Sequence, residues 1–390
     1  MITKKENKKI AFLSSLDMNL YLFRLDIMKE LISQGYEVYA IIPRGKYFDK
    51  LSQEKIITID YSLNRGSLNP FSAIKSIFEV SKILKTLNID ILHTFTVKPN
   101  IFGTIAGKFA KIPLILNLVE GLGSFYIGDS FKNRIVKTII EQLYKIVFKI
   151  SNKVVFVNYD DPAYLENKKI IPKNKIHIIK SVGVDTNFFS MENTNLKELE
   201  NLKISLNIEK NDFTVIMIGR AILHKGVKDF YKSAEILKEQ NMNIKFLYVG
   251  DIDSGNSYSM DQKFMNSNPN IRWLGHRNEI KNLIAISDLI VLPSYREGVP
   301  RTLLEACSMS KPIIATDVVG CREAVDNGKN GFLIPIESPL ILANKIKTLI
   351  ENNDLREKMS VYSRQKALKE FEITKIVKEY LKLYKSYSEN

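Results

Sequence analysis

Two carboxylates eight residues apart, Glu297 and Glu305, stand in the stretch from Tyr295 to Ala306. The apolar run Leu289-Ile290-Val291-Leu292, closed by Pro293-Ser294, precedes that stretch, and Pro312-Ile313-Ile314-Ala315 follows it. This order predicts strand, turn, helix, strand. Such a turn presents backbone N–H groups at the positive end of a helix, where a phosphate or a sugar hydroxyl binds well. Eight residues is a little over two helical turns, so Glu305 stands on roughly the same side as the turn carrying Glu297. Both carboxylates cannot be there for the anion. They suit a ligand with hydroxyls on either side of a phosphate, which describes a nucleotide sugar.

The elements that must position these groups alternate short β-type apolar runs with longer helical patterns through both halves. That alternation predicts an α/β chain of two Rossmann-like doubly wound domains. Strands are predicted at 9–13, 37–42, 55–59, 89–93, 114–118, 153–157 and 176–179, with helices at 24–34, 73–87, 99–109 and 132–150. The second half restarts with strands at 213–218, 245–249, 271–273, 289–292, 312–315 and 331–334. Its helices are predicted at 227–239, 277–286, 301–308, 340–351, 354–369 and 373–387. The expected domains are 1–190 and 191–370, followed by a terminal helical segment, 371–390. No internal repeat or low-complexity tract interrupts them.

Length and composition agree with that division. A chain of 390 residues exceeds one ordinary core, and 45% hydrophobic with 26% charged residues is a globular composition. No apolar run approaches the length of a bilayer span. The segment Ile10-Ala11-Phe12-Leu13 reads as a buried strand rather than the core of a signal peptide. Two cysteines, Cys307 and Cys321, are too few for a disulfide framework and fit a reducing cytoplasm. The net charge of +14 is uneven: residues 1–185 carry a surplus of 11 positive charges and residues 186–390 a surplus of 3. A basic half implies an anionic surface as partner. No helix-turn-helix, zinc finger or RNP-like aromatic motif accompanies the charge, so no nucleic acid is expected and an anionic membrane or diphosphate-linked lipid fits better.

The Glu297-to-Glu305 spacing resembles the Glu-x7-Glu signature of retaining glycosyltransferases of the two-domain GT-B type, in particular glycosyltransferase family 4. Gly219-Arg220…Lys225-Gly226 and Gly320-Cys321-Arg322-Glu323 extend that resemblance through the second half. In the first half, Ser67-Leu68-Asn69-Pro70-Phe71 and the run from Leu118 to Ile127 are similar to family members of bacterial protein N-glycosylation. Those enzymes add N-acetylgalactosamine in α-1,3 linkage to diacetylbacillosamine on undecaprenyl diphosphate. The resemblance implies a GT-B fold whose domains face across a cleft and whose C-terminal helix crosses back onto the N-terminal domain. It implies UDP-GalNAc as donor and an undecaprenyl-diphosphate-linked sugar as acceptor, at the cytoplasmic face of the inner membrane.

On this reading Arg220 and Lys225 meet the β-phosphate of the departing nucleotide, where charge grows in the transition state. Glu305 holds both ribose hydroxyls and Glu297 lies beside the donor sugar. The backbone of Gly298, Val299 and Pro300 lines the sugar pocket, and Arg301 and Thr302 stand near the diphosphate. Gly219, Gly250 and Gly275 close strands toward the donor, with Arg277 approaching the base. Asp251-Ile252-Asp253 lacks a clear third ligand and makes a poor magnesium site; with two cations already present, neither a metal nor another cofactor is expected.

On the acceptor side, Asp17 and Asn19 follow the first predicted strand, and His93, Lys98 and Glu120 fall at strand ends or in the following loops. In parallel sheets that edge faces ligands. Glu120, at the start of a loop loosened by Gly121 and Gly123, could orient or deprotonate the acceptor hydroxyl. The helix over 132–150 combines an apolar stripe, Ile135, Ile139, Leu143, Ile146, Val147 and Ile150, with basic residues Arg134, Lys137, Lys145 and Lys149. The stripe is expected to pack on the sheet while the basic side chains touch an anionic membrane peripherally. Other readings are a family enzyme of lipopolysaccharide or capsule synthesis using another UDP-sugar, and a non-catalytic nucleotide-sugar-binding scaffold.

Overall fold

The computed structural model describes residues 8–63, 70–127, 130–240, 242–256 and 258–386. Ser67, Leu68 and Asn69 of the first-half segment, and Tyr387 at the end of the last predicted helix, lie outside the described residues. The chain divides into two compact units. One comprises residues up to 182 together with those from 375 on; the other comprises 183–374.

The first unit is built on seven parallel strands: β1 (Lys9–Ser14), β2 (Glu37–Ile41), β3 (Ile57–Ile59), β4 (Ile91–Phe95), β5 (Leu114–Val119), β6 (Lys153–Phe156) and β7 (Ile176–Ile178). Their order is β3-β2-β1-β4-β5-β6-β7. Progression reverses between β1 and β4, where Phe12 pairs with His93, so the ligand-facing crevice of a doubly wound sheet falls at the ends of those strands. Fully buried parallel strands read as continuous apolar runs, and β5 is buried along its whole length.

Several boundaries shift for local reasons. The third strand begins at Ile57 rather than 55 because Lys55 is left-handed at φ 64°, ending the helix Phe48–Gln53. The fourth begins at Ile91 rather than 89 because Ile89 N–H closes the preceding helix on the Leu84 carbonyl at 3.3 Å. The helix expected over 24–34 runs Leu25–Ser33, and an unexpected helix, Asp17–Phe23, precedes it with a break at Arg24.

The second unit carries six parallel strands: β8 (Phe213–Ile218), β9 (Ile244–Val249), β10 (Ile271–Trp273), β11 (Leu289–Leu292), β12 (Ile313–Thr316) and β13 (Gly331–Ile334). Their order is β10-β9-β8-β11-β12-β13, a Rossmann arrangement with its switch point between β8 and β11. Its core is a single apolar cluster running from Val184 to Phe371. Where the chain enters this unit, Val184 N–H donates to the Phe371 carbonyl at 2.8 Å, and Ile373 N–H donates to the Val184 carbonyl at 3.0 Å. Entering and leaving segments are therefore paired strand-like. The helix expected over 354–369 runs Asn353–Lys366 and widens into a π-turn at Ala367–Phe371.

The last helix, Ile373–Ser386, lays Tyr380 and Tyr384 into the first unit. The Tyr384 hydroxyl and His93 Nδ1 are 2.7 Å apart in full burial, and the Tyr380 hydroxyl makes no hydrogen bond. These two tyrosines should therefore respond oppositely to loss of the hydroxyl. Tyr384→Phe strands His93 and is expected to cost about 1–3 kcal/mol in urea denaturation, whereas Tyr380→Phe removes an unsatisfied group and should be neutral or slightly stabilising.

Candidate active site

The donor-side residues converge at the C-terminal edge of the second sheet. Gly219 follows β8, and the next loop carries Arg220 and then Lys225 in a short turn, Leu223–Lys225. The Tyr248 hydroxyl, buried on β9, donates to the Gly219 and Arg220 carbonyls, each at 3.1 Å. Gly226 is left-handed (φ 74°), and a Cβ there would lie 1.9 Å from the Pro293 carbonyl oxygen. The β8 loop is thus pressed onto the segment after β11, and only glycine fits. Gly320 plays the same part on the other side: at φ 81°, its Cβ would lie 2.1 Å from the Gly298 carbonyl oxygen. Glu297 N–H donates to the Val319 carbonyl at 3.1 Å. The turn from Glu297 through Gly298 and Val299 is held between these two walls.

Both cations are already paired. Lys225 Nζ lies 2.5 Å from Glu297 Oε1, with both side chains mostly buried. Arg220 Nη1 lies 2.6 Å from Asp253 Oδ2, in a more exposed position. The second aspartate of the Asp-x-Asp stretch therefore balances a cation, and no cluster of three or more potential metal ligands occurs among the described residues. Pro300 caps the helix Arg301–Ser308, placing Arg301 and Thr302 in its first turn. Arg301 Nε donates to Glu305 Oε1 at 2.9 Å. Burial raises the Glu305 pKa above the ordinary carboxylate range, and the nearby Arg301 offsets this only in part. A carboxylate short of donors in this position is complementary to hydroxyl groups.

Gly250 N–H donates to the Gly275 carbonyl at 2.9 Å, so the loops after β9 and β10 are joined beside Gly219. Arg277 is engaged by Glu279, with Nε 2.6 Å from the carboxylate; that contact explains why the helix expected from 277 begins only at Ile280. Sequence reasoning passed over His224, between Arg220 and Lys225. Its ring lies 4.1 Å from that of Tyr258, neither nitrogen has a hydrogen-bond partner, and burial lowers its pKa. The imidazole is thus neutral at neutral pH. A histidine in a loop carries no periodic signal that would mark it as buried.

In the first unit, Glu120 follows β5 and is fixed from two directions. Asn19 Nδ2 donates to its two carboxylate oxygens at 3.1 and 3.0 Å, and Arg24 Nη2 lies 2.5 Å from Oε1. Arg24 is wholly buried, with its guanidinium 5.3 Å from the Phe95 ring centroid. This partner was not foreseen, because an arginine at a helix break reads as surface. Gly121 and Gly123 carry the chain onward from Glu120, Gly123 with φ 87°. Lys98 lies in the first turn of the helix Val97–Phe109, half-buried.

Two acceptor-side candidates are buried and have structural partners. Asp17 is buried and structural: its Oδ2 accepts the Tyr47 N–H at 2.6 Å, fastening the loop after β2. His93 is fully buried against Phe12, Phe95, Tyr380 and Tyr384, its pKa held well below the usual value by burial and then by Arg24. It fastens the C-terminal helix and reaches no ligand surface.

The helix Phe131–Ile150 also turns a different face to the sheet. Val136, Ile140, Tyr144, Val147 and Phe148 are buried, whereas Ile135, Ile139 and Ile146 are exposed, with Phe131 at 80%. Of the expected stripe, Val147 is fully buried and Leu143 and Ile150 are partly buried against the core. Arg134, Lys145 and Lys149 share the exposed face, while Lys137 lies 4.8 Å from the centroid of the Tyr126 ring. The helix Pro70–Leu87 exposes Phe71, Ile74 and Phe78. Both helices pack against Val97–Phe109. No helix among the described residues is long and apolar enough to cross a membrane.

Comparison with known proteins agrees with this architecture. The family model "Glycosyl transferases group 1" matches residues 199–366 and "Glycosyl transferase 4-like" matches residues 9–158. The chain is 39% identical over 376 residues to the N,N'-diacetylbacillosaminyl-diphospho-undecaprenol alpha-1,3-N-acetylgalactosaminyltransferase of Campylobacter jejuni, covering 96% of this chain and 98% of that one. It is 30% identical over 315 residues to the UDP-Gal:alpha-D-GlcNAc-diphosphoundecaprenol alpha-1,3-galactosyltransferase of Escherichia coli, covering 80% and 79%. A crystal structure of a glycosyltransferase from Rickettsia africae superposes with a TM-score of 0.81 at 26% identity, covering 99% of this chain and all of that one. Two parallel Rossmann-like sheets, the motif residues gathered at the edge of the second, and these matches together place the chain in the family of group 1, family 4-like glycosyltransferases with the GT-B fold.

Proposed function

We propose that this chain is a retaining, metal-independent hexosyltransferase. It moves N-acetylgalactosamine from UDP-GalNAc to undecaprenyl-diphosphate-linked N,N'-diacetylbacillosamine in α-1,3 linkage, in protein N-glycosylation. The observation that carries this reading is near-full-length similarity to a transferase of that name, joined to an intact set of Arg220, Lys225, Glu297 and Glu305. A uridine nucleotide as donor draws support from the UDP-sugar named for the Escherichia coli relative.

The bond between the sugar and the β-phosphate breaks as the acceptor hydroxyl attacks from the same face. Negative charge grows on the departing diphosphate, and Arg220 and Lys225 turn from Asp253 and Glu297 to meet it. The N–H groups at the start of the helix Arg301–Ser308 add the positive end of its dipole. Glu305 accepts from the ribose hydroxyls, which supply the donors its buried carboxylate lacks. Glu297, released by Lys225, accepts from the donor sugar's hydroxyls. Glu120, already neutralised by Arg24, orients the acceptor, and the departing phosphate takes the proton.

The acceptor is a lipid, so the protein works at the cytoplasmic face of the inner membrane as a peripheral protein. The exposed face of Phe131–Ile150 suits that surface: apolar side chains reach into the head-group boundary while Arg134, Lys145 and Lys149 meet anionic lipid.

Three outcomes are expected. Lys225→Ala should lower kcat roughly 100- to 1,000-fold in transfer of radiolabelled N-acetylgalactosamine to the lipid-linked amino sugar; turnover within a few-fold of wild type would remove the proposed role. Transfer should survive excess EDTA, and loss restored by magnesium would refute metal independence. In flotation with phosphatidylglycerol vesicles, Phe131→Ser combined with Ile139→Ser should release protein that wild type retains at 0.5 M salt (about 4 Å of screening length). Complete release of the wild type by that salt would instead mean contact through charge alone.

A further inference from the structure

A cavity of about 120 Å³ opens in the first unit at the C-terminal ends of β4 and β5. We propose that it receives an acetamido group of the acceptor sugar, with Tyr144 donating to the carbonyl oxygen and Glu120 accepting from the N–H. This rests on the transfer reaction proposed above and adds to it how the acceptor is selected.

Three observations converge on that chemistry. The first is size. A cavity of about 150 Å³ holds a benzene molecule, so this one admits a planar four-atom group and excludes a sugar ring. The second is the mixture of its walls. Val97 and Leu118 give an apolar side suited to a methyl group, while the polar residues Thr96, Asn100, Glu120 and Tyr144 line the rest.

The third is an unsatisfied donor. The Tyr144 hydroxyl is fully buried and donates no hydrogen bond. Its ring is stacked on Phe148, with centroids 4.6 Å apart, so the hydroxyl is held in place. Of the adjoining Asn100 amide, the oxygen accepts from Thr94 at 2.7 Å and one N–H donates to the Leu118 carbonyl at 2.8 Å. Its second N–H can only donate toward the Tyr144 oxygen, which leaves the Tyr144 O–H itself without an acceptor. A buried donor left unmet in the free protein is a common mark of a site completed by a ligand.

Across the cavity, Glu120 is an acceptor already fixed in direction by Asn19 and Arg24, and a carboxylate retains lone pairs beyond those bonds. One donor, one acceptor and an apolar wall match the carbonyl, N–H and methyl of an acetamido group. At the rim, Thr96 has φ 72° and ψ 162°, a backbone region that side chains other than glycine seldom adopt and that concentrates at ligand sites.

The donor of the proposed reaction also carries an acetamido group, but all its expected contacts, Arg220, Lys225, Glu297 and Glu305, belong to the second unit. The cavity is formed wholly by the first. The acceptor sugar is therefore the occupant.

Kinetics on wild type and Tyr144→Phe test the assignment, using a lipid-linked acceptor with acetamido groups and one with hydroxyls in their place. The acceptor KM should rise roughly 3- to 10-fold for the acetamido substrate, and the preference over the hydroxyl substrate should shrink by the same factor. A rise in donor KM instead, or equal losses on both acceptors, overturns the assignment. Saturation-transfer NMR of the full chain with methyl N-acetyl-β-glucosaminide probes the cavity without turnover. In the wild type the acetyl methyl should receive more saturation than the ring protons, and Val97→Phe, which fills the cavity, or Tyr144→Phe should reduce that difference. No such difference in the wild type overturns the pocket even where transfer is intact. A clear difference, lost in the variants, in a protein that transfers nothing to the lipid-linked amino sugar supports the pocket and overturns the proposed reaction.

Discussion

Lys225 and Glu297, 72 residues apart in the chain, meet as a mostly buried ion pair at 2.5 Å. Removing either partner would leave a charge with little solvent to screen it, so the pair constrains both loops that carry it. Close backbone packing enforces the same geometry. Gly226 against Pro293 and Gly320 against Gly298 leave no room for a Cβ, and the Tyr248 hydroxyl ties down the backbone from which Arg220 projects. On the proposed function, a cation held this way would be ready for exchange: a diphosphate brings two charges against the single one on Glu297, and the displaced carboxylate would then accept from sugar hydroxyls. The same logic applies more weakly to Arg220 and Asp253, where exposure to solvent screens the attraction.

The first unit uses the motif in a different way. Arg24 is wholly buried and Glu120 only partly so, which makes the guanidinium the anchor and the carboxylate the presented group. Asn19 adds two bonds from the side, giving a carboxylate that is charged, directed and neutralised by its neighbours. Such a group suits orientation better than proton abstraction. The break between Asp17–Phe23 and Leu25–Ser33 follows from the same contact, since Arg24 leaves the helical path where its side chain turns inward.

The alternation of parallel strands and helices was legible in the sequence because strands buried on both faces must be continuously apolar. Runs such as Phe213–Ile218 and Leu289–Leu292 begin and end where expected. The donor-side motifs were legible because each lies within one loop and its flanking elements. What depended on distant chain was not. His93 meets Tyr384, 291 residues away, and nothing beside His93 announces that a terminal helix will cover it. The helix Phe131–Ile150 carries two apolar stripes, Ile135-Ile139-Ile146 and Val136-Ile140-Val147, one residue and therefore about 100° apart. Periodicity finds both and cannot choose between them. The bulkier Tyr144 and Phe148, packed inward with the second stripe, decide the matter and leave the first stripe exposed.

A crystal structure with UDP bound tests the central claim most directly, because it records where the two cations go. The account predicts Lys225 Nζ and the Arg220 guanidinium at about 3 Å from β-phosphate oxygens, with both ribose hydroxyls on Glu305 and the Lys225–Glu297 contact opened. A nucleotide whose diphosphate lies elsewhere, with Lys225 still on Glu297 and Arg220 still on Asp253, would contradict it.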